Sequence, residues 1–510
     1  MPLTIEELAT FCKKKGIVFP TAEIYNSLSG FFDYGPLGVE IKNNIKKSWW
    51  NTFVHQRDDV VGIDGAIITN PKVWKASGHV DNFEDILVED TKTQERFRAD
   101  HLVEDALKIE AHGLKAEDLW KLIQQNNLKS PKGNPLSPPK QFNLMFNTNI
   151  GPIQSDTSRA YMRPETAQSI FINFKLVQES SRLKLPFGIA QIGKAFRNEI
   201  SPRDFLFRSR EFEQMELEFF VDPKDKTLSS QTSKHKQDKI KFQFLSREEQ
   251  AKKSPKIEQV TADDIVKQKK LSPLHGYWLV EAFQWYTNLG INPKNLRIRE
   301  HTKDELSHYS GATFDIEYNF PFGWKEIHGS ADRGTFDLTQ HEKIANTKLR
   351  VFNEETKEHI LPGVIEPSWG VDRALLAFLF EAYDNDQKRG NIVLKLHQKL
   401  VPMQIGIFPL VKNKPELLKK AEDVFQSLRT TFTTQWDESG SVGRRYARAD
   451  EQGIPVCCTV DFESLDDNCV TLRHRDTTKQ IRVPIKQLHE IIFKILHGEQ
   501  FEKLGKVVSS

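Results

Sequence analysis

Residues 195–221 read AFRNEISPRDFLFRSREFEQMELEFFV, and the alternation in the second half of this stretch decides the fold. Side chains of a strand point to opposite faces in turn. Phe212, Gln214, Glu216 and Glu218 therefore share one face, and Glu213, Met215, Leu217 and Phe219 the other. The first set is mainly polar and the second mainly apolar. On the preceding strand Arg197 and Glu199 share a face by the same rule, and Ser201-Pro202-Arg203-Asp204 carries turn chemistry between the two. The stretch predicts an antiparallel hairpin that presents an arginine, several carboxylates and one aromatic ring. Taken alone, it reads first as a sheet with one side in water, as antiparallel sheets often have. Phe212 is poorly placed on a wet face, whereas a purine ring stacked on it would account for its position.

Two further segments bear on a nucleotide. In residues 363–383, GVIEPSWGVDRALLAFLFEAY, the positions Leu375, Leu376, Leu379, Phe380 and Tyr383 recur at helical spacing, so Arg373 sits in the first turn of a helix. Free amides and partial positive charge at a helix N-terminus suit phosphate, and an arginine there reinforces them. A strand-turn-helix joint with a surface arginine describes the same residues equally well. Trp324-Lys325-Glu326-Ile327-His328 alternates like a strand, and its Glu326 is either a magnesium ligand or an edge carboxylate. Residues 188–195, GIAQIGKA, nearly spell a GxxxxGK[ST] phosphate loop. Ala195 lacks the hydroxyl that would ligate magnesium, and the residues around it continue a strand where a helix is required, so no phosphate loop is expected.

At 510 residues the chain is too long for one core, and about two to four folding units are expected. With 38% hydrophobic and 28% charged residues it is neither disordered nor fibrous. The net charge of +2 neither demands nor forbids an anionic partner, so any nucleic-acid contact must be local. Cys12, Cys457, Cys458 and Cys469 make no disulfide framework and no zinc spacing, which fits a reducing cytoplasm. Neither a signal peptide nor a membrane span is expected.

Along the chain, residues 96–121 look helical and Ser130–Lys140, with four prolines, looks like a loop. Residues 143–220 look rich in strands. Asp222–Ser272 holds 13 Lys/Arg against 8 Asp/Glu with few aromatics, which suggests a solvated insertion. A helix from Tyr277, stopped by Gly290, leads into more strands, and a helix runs from Val371 to about Asp384. Lys395–Pro402 looks like a boundary, because a βαβ rhythm starts at Gln404.

These segments resemble the class II aminoacyl-tRNA synthetases and, within them, the homodimeric glycyl-tRNA synthetase family. FFDYGPLGVEIKNNIKKSWW (residues 31–50) is similar to the family's first motif, with Pro36 opening a helix whose Ile41, Ile45, Trp49 and Phe53 form an apolar stripe. FRNE with REFEQMELEFF resembles the second motif, and EPSWGVDR the third. Residues 96–101 (RFRADH), 163–168 (RPETAQ) and 441–451 (SVGRRYARADE) also look like glycyl-enzyme segments. The resemblance covers nearly the whole chain, although the lysine-rich stretch Asp222–Ser272 departs from the family's pattern.

The resemblance implies an α/β (α+β) fold: an antiparallel sheet flanked by helices in a catalytic domain over residues 1–400, with insertions at about 65–145 and 222–275. An α/β anticodon-binding domain would follow over 401–510, where Arg444, Arg445 and Arg448 either contact RNA or occupy a solvated loop. It implies ATP-dependent activation of glycine and its transfer to tRNA by a cytoplasmic homodimer, with ATP and Mg2+ required and no membrane involved. Arg197 and Arg373 would be the catalytic residues. The ATP site would be built by Arg197, Asn198, Glu199, Phe207, Arg208 and Phe212, by Glu326 and Ile327, and by Gly370 and Arg373. Within it Phe212 would stack on adenine, Arg373 would grip the γ-phosphate and Glu326 would bind magnesium. The glycine site would draw on Arg98 and Glu165, on the run Phe212, Glu213, Gln214, Met215 and Glu216, and on Glu366, Pro367, Ser368, Trp369 and Gly370. A non-catalytic relative would be expected to have lost one of Arg197, Glu199, Phe212, Glu326 or Arg373, and all five are present. An amide-forming ligase on the same fold would have no use for the anticodon-like C-terminal region.

Overall fold

The structure, a computed structural model, describes residues 3–508 other than 110, 112–113, 154–157, 225–239, 270, 304 and 307–310. Its body is a nine-stranded sheet. In chain order the strands are β1 (Val60–Ile63), β2 (Phe187–Phe196), β3 (Glu211–Val221), β4 (Lys241–Leu245), β5 (Glu258–Thr261), β6 (Leu296–Glu300), β7 (Ala312–Phe320), β8 (Gly323–Gly334) and β9 (Gly363–Gly370). In space they run β5-β4-β6-β7-β8-β9-β3-β2-β1. All pairs are antiparallel except β1 with β2 and β4 with β6.

Helices cover both faces. On one lie α1 (Pro36–Trp50), α3 (Pro273–Asn288) and α4 (Val371–Ala382), and on the other lies α2 (Ala167–Ser180). Helix α1 starts because Pro36 occupies its first turn behind Gly35, where a missing N–H costs nothing. It lies so close to the preceding chain that a Cβ on Gly38 would stand 1.8 Å from the Ile17 carbonyl oxygen, so only glycine fits. Ile41, Ile45, Trp49 and Phe53 are fully buried within this one chain. The ring of Trp49 stands 5.4 Å from that of Trp369 on β9, and the ring of Phe53 4.7 Å from it. The apolar stripe that begins on α1 and continues to Phe53 thus serves the core of this chain and is not a free surface for a partner.

Several expectations change here. Residues 143–220 contain helix α2 between their strands, since the apolar run of residues 167–177 belongs to a buried helix. Residues 96–121 divide into a strand (Arg96–Arg98) and two helices (Ala99–Leu107, Ala116–Gln125). With strands Glu84–Glu89 and Lys140–Asn143 they form a small three-stranded unit around Val88, Val103 and Leu119. The stretch Asp222–Ser272 is not a solvated insertion throughout. Phe242 and Phe244 are fully buried where β4 pairs with β5 and β6 in the main sheet, and the lysine-rich sequence around this short strand hid it. Residues 225–239 of that stretch lie outside the described residues.

Beyond residue 400 a six-stranded sheet closes around its own core of Ile405, Val424, Val456, Leu472, Ile481 and Ile492. Arg444, Arg445 and Arg448 lie not in a loop but on a helix, Val442–Gln452. Arg445 is buried and donates to the Pro409 and Gly440 carbonyls, which makes it a structural residue. Among the described residues no helix is long and apolar enough to cross a membrane.

Removing an aromatic that packs on several rings leaves a cavity its neighbours cannot fill. Trp49→Ala should cost about 3–5 kcal/mol, read as a lower urea midpoint with an unchanged slope.

Candidate active site

The register between β3 and β9 builds the site. It sets Gln214 against Gly370 and Glu216 against Ser368, so the polar alternates of both strands look out from one face. On the other side of β3 the partners are Gln191 opposite Glu216, Gly193 opposite Gln214 and Ala195 opposite Phe212. A Cβ on Gly193 would stand 2.1 Å from an Arg163 nitrogen. Glycine there lets Arg163 lie flat on the sheet, donating to the carbonyls of Gly65 and Lys194 at 2.7 Å each. The polar face is therefore roofed, not wet: Gln214, Glu216 and Glu218 are all buried.

One end of this face opens into a cavity lined by Arg197, Glu199, Phe207, Arg208, Phe212 and Gln214, and across it by Glu326, Ser368, Gly370 and Arg373. Arg373 projects from the first turn of α4. It reaches the Glu326 carboxylate at 2.9 Å and lies 4.5 Å from the centre of the Phe207 ring. The Arg197 guanidinium lies 5.3 Å from the Phe212 ring and donates to the Pro164 carbonyl at 3.0 Å. Strand β2 ends at Phe196, so Arg197 and Glu199 do not share a strand face. Glu199 instead folds back, its N–H donating to the Arg197 carbonyl at 2.7 Å, while its carboxylate lies 3.3 Å from Arg208.

The other end holds buried carboxylates in excess of cations. Glu216 accepts from the Thr166 N–H at 3.0 Å, from the Thr166 hydroxyl, from Gln214 at 2.8 Å and from Ser368 at 2.9 Å. Glu165 accepts from Gln168 at 3.0 Å and faces His79 at 3.4 Å. Glu366 pairs with Arg333 at 2.8 Å, and Arg333 forks onto Asp337 at 2.7 and 2.8 Å. Burial pushes the carboxyls of Glu216 and Glu218 above the usual range, and the nearby charges of Glu165 and Glu366 push the same way. Burial also drives Glu366 up to about 8 against the pull of Arg333. A small cation would relieve this crowding.

Not every expected residue faces the site. The side chains of Glu213, Met215 and Trp369 fall on the opposite face of their strands, although Glu213 still borders the cavity. Met215 and Trp369 are core residues, and Glu213 pairs with Lys42 at 3.0 Å and Lys46 at 3.2 Å from helix α1. Pro367 shares their face by alternation. Ile327 is buried in the same core, with only its carbonyl engaged, by Tyr286 at 2.9 Å. The Arg98 guanidinium is taken by Asp85 at 2.9 Å and Asp100 at 2.5 Å, and its charge neighbours lie at the Glu199 end, away from Glu216. Asn198 contributes its N–H to the Leu144 carbonyl at 2.8 Å and does not line the cavity. Sequence reading missed Thr166, Arg333 and Asp337. Their signals were present: Thr166 sits inside the RPETAQ segment, and Arg333 and Asp337 stand four apart where a strand passes into a helix.

Comparison with known proteins places the chain in a family. The family described as "Anticodon binding domain" matches residues 404–495. Glycine–tRNA ligase from Clostridium kluyveri is 44% identical over 501 residues, covering 96% of this chain and 98% of that one. Glycine–tRNA ligase from Staphylococcus aureus is 43% identical over 505 residues, covering 96% and 99%. The chain belongs to the glycine–tRNA ligase family. Among solved structures, prolyl-tRNA synthetase from Cryptosporidium parvum, crystallised with halofuginone and AMPPNP, shares the fold. Its TM-score is 0.58 at 14% identity, over 98% of this chain and 78% of that one. The α/β architecture expected from the sequence, with a large antiparallel sheet and a C-terminal anticodon-binding domain, is the one present.

In this ligase the elevated Glu366 makes a pH test. A carboxyl raised on folding stabilises the folded chain below its ordinary value, and that contribution is lost as pH climbs through the raised one. The ligand-free Tm should therefore fall between about pH 5 and pH 8, and Glu366→Gln should flatten that fall in calorimetric scans.

Proposed function

We propose that this chain joins glycine to its cognate tRNA in two steps, both at the cavity between Arg197 and Arg373 and the carboxylates behind its Ser368 wall. A carboxylate oxygen of glycine attacks the α-phosphorus of ATP in line. The bond to pyrophosphate breaks and glycyl-adenylate forms. The terminal ribose hydroxyl of tRNA then attacks the adenylate carbonyl, an ester forms and AMP departs. The hydroxyl proton passes to a substrate phosphate oxygen or ordered water. The chemistry asks the protein to position two anions and screen their repulsion, and needs no protein nucleophile.

The observation that carries this reading is that Arg197, Phe212 and Arg373, from three separate segments, line one cavity whose wall residue Ser368 donates to Glu216 of the carboxylate cluster at 2.9 Å. Phe212 offers its ring to adenine, Arg197 and Glu199 hold the α-phosphate and the adenine amino group or incoming tRNA end, and Arg373 takes the γ-phosphate. Arg373 now lies on Glu326, a pairing that a triphosphate would replace. Glu326 is a hard oxygen donor half in solvent on the cavity wall, which fits magnesium held by one carboxylate plus substrate phosphates. Bound there, the ion would neutralise phosphate charge. The glycine ammonium sits among Glu165, Glu216 and Glu366, with Ser368 beside it. Homodimer formation and a cytoplasmic location belong to the same proposal, resting on the family resemblance of the whole chain and on the four unpaired cysteines.

Selectivity then has a simple basis. A pocket discriminates poorly against a substrate one methylene smaller, by only about 1–3 kcal/mol. Glycine has no smaller competitor, so overlap with a methyl group suffices.

Glycine-dependent ATP–pyrophosphate exchange, with alanine and serine as controls, followed by tRNA charging, tests the reading. Absence of glycine-dependent exchange refutes it. Arg373→Ala should lower exchange by about a hundredfold or more, and near-normal exchange would remove its assigned role. Phe212→Ala should raise the KM for ATP by about tenfold or more while leaving that for glycine nearly unchanged, since base stacking on an aromatic contributes about 1–3 kcal/mol.

A further inference from the structure

Helix α4 carries Arg373 in its first turn and runs for 12 residues, about 18 Å. Without a break it enters a hairpin, Tyr383–Asp386 paired with Asn391–Leu394. At the tip of that hairpin stands Arg389. Asp386 fixes the turn, accepting from the N–H groups of Lys388 at 3.0 Å and Arg389 at 3.1 Å, and it holds the Arg389 side chain at 3.0 Å. From there the guanidinium leaves its own part of the chain and enters the C-terminal unit. It donates to the carbonyls of Arg475 at 2.7 Å and Asp476 at 2.8 Å, and to the Asp450 carboxylate at 3.2 Å. Asp450 is buried and already forked by Arg473 at 2.8 and 2.9 Å, so its position is rigid.

The contact is reciprocal. Arg475, buried in the C-terminal unit, sends its guanidinium back to the Leu396 carbonyl at 3.0 Å and to the Gly453 carbonyl at 2.9 Å. Gly453 ends helix Val442–Gln452 so close to the hairpin that a Cβ there would stand 3.1 Å from the Leu394 carbonyl oxygen. Lys15 and Glu451 add one more ion pair across the same seam. Beside the seam the two units part around an open cleft of about 1420 Å³, walled by Lys47, Lys399 and Arg429 among others. The angle between the units is thus set at the seam, where helix Val442–Gln452 packs along strand Asn391–Leu394 and the arginines bridge the two, and not at the cleft. Planar guanidinium forks suit that task, because each arginine fixes direction as well as distance.

We propose that Arg389 is a positioning residue for tRNA charging. Its clasp on Asp450, Arg475 and Asp476 holds the C-terminal unit at the angle that lets one tRNA reach both that unit and the Arg373 end of α4. The inference rests on the function proposed above, since it needs a substrate long enough to span both units. Arg389 touches no residue of the ATP cavity, so its loss should leave adenylate formation intact and act only where the two units must cooperate.

The test compares full-length wild-type, Arg389→Ala and Arg389→Lys proteins in three measurements. In Arg389→Ala, glycine-dependent exchange should stay within about twofold of wild type while kcat/KM for tRNA charging falls about tenfold or more, as expected for lost charge-assisted hydrogen bonds. Arg389→Lys, which keeps the charge but not the fork, should fall between. Small-angle X-ray scattering should show a broader pair-distance distribution for Arg389→Ala than for wild type. Charging equal to wild type, or exchange falling by the same factor as charging, would overturn the proposal, as would an unchanged scattering profile. Wild-type protein without glycine-dependent exchange would refute the function instead, and the scattering comparison would still decide whether Arg389 holds the units together.

Discussion

Carboxylates do not gather in a dry place without compensation. Glu165, Glu216, Glu218, Glu366 and Asp337 share a buried region with Arg333 and Arg163, of which only Arg333 forks onto the carboxylates, and with His79 and His341. Burial disfavours each charge, and every neighbouring carboxylate disfavours it again. The protein answers with hydrogen-bond donors aimed at particular oxygens: the Thr166 amide and hydroxyl, Gln214 and Ser368 on Glu216, and Arg333 on Glu366 and Asp337. Glu218 finds no partner among the described residues. Residual repulsion leaves a pocket whose electrostatics ask for one small cation, and the ammonium of an amino acid without a side chain satisfies that demand in the smallest volume.

That pocket exists only because the opposite face of the same strands is immobile. Trp369 is locked against Trp49 of helix α1 and Phe53 just beyond its end, Met215 lies in the same core, and Glu213 is pinned by Lys42 and Lys46 of that helix. Asp372 accepts from the Glu213 N–H at 2.6 Å and from the Tyr34 hydroxyl, which ties the start of α4, and so Arg373, to strand β3. Residues that looked like ligands by position in a motif thus work from behind it. They hold the backbone that aims Gln214, Glu216 and Arg373, which is the kind of preorganisation electrostatic catalysis requires.

Helix α4 extends that order outward. One end presents Arg373 to the nucleotide cavity, and the other continues into the hairpin that grips the C-terminal sheet. Two units with separate hydrophobic cores are joined where helix Val442–Gln452 packs along strand Asn391–Leu394, and directional polar contacts from Arg389 and Arg475 fix orientation there.

Local pattern carried a great deal. Alternation in residues 211–221 determined which side chains share a face, the apolar spacing after Arg373 put that arginine in a first helical turn, and the Gly-Pro pair at 35–36 opened helix α1. What alternation could not say is which face is wet. The cover over Glu216 comes from Thr166 and Arg163, some fifty residues earlier in the chain, and the counter-charge for Glu366 comes from Arg333 on β8. Strand β4 stayed hidden because the lysine-rich stretch around it reads as solvent-exposed, while Phe242 and Phe244 are buried between the strands on either side. The sequence by itself determined the strands, the helix and the residue types that chemistry needs, since those follow from period and composition within a short window. Only the tertiary structure decided which carboxylates are dry, which are paired and which lean back on lysines. Desolvation and Coulomb energy depend on neighbours in space, and most of those neighbours are remote in sequence.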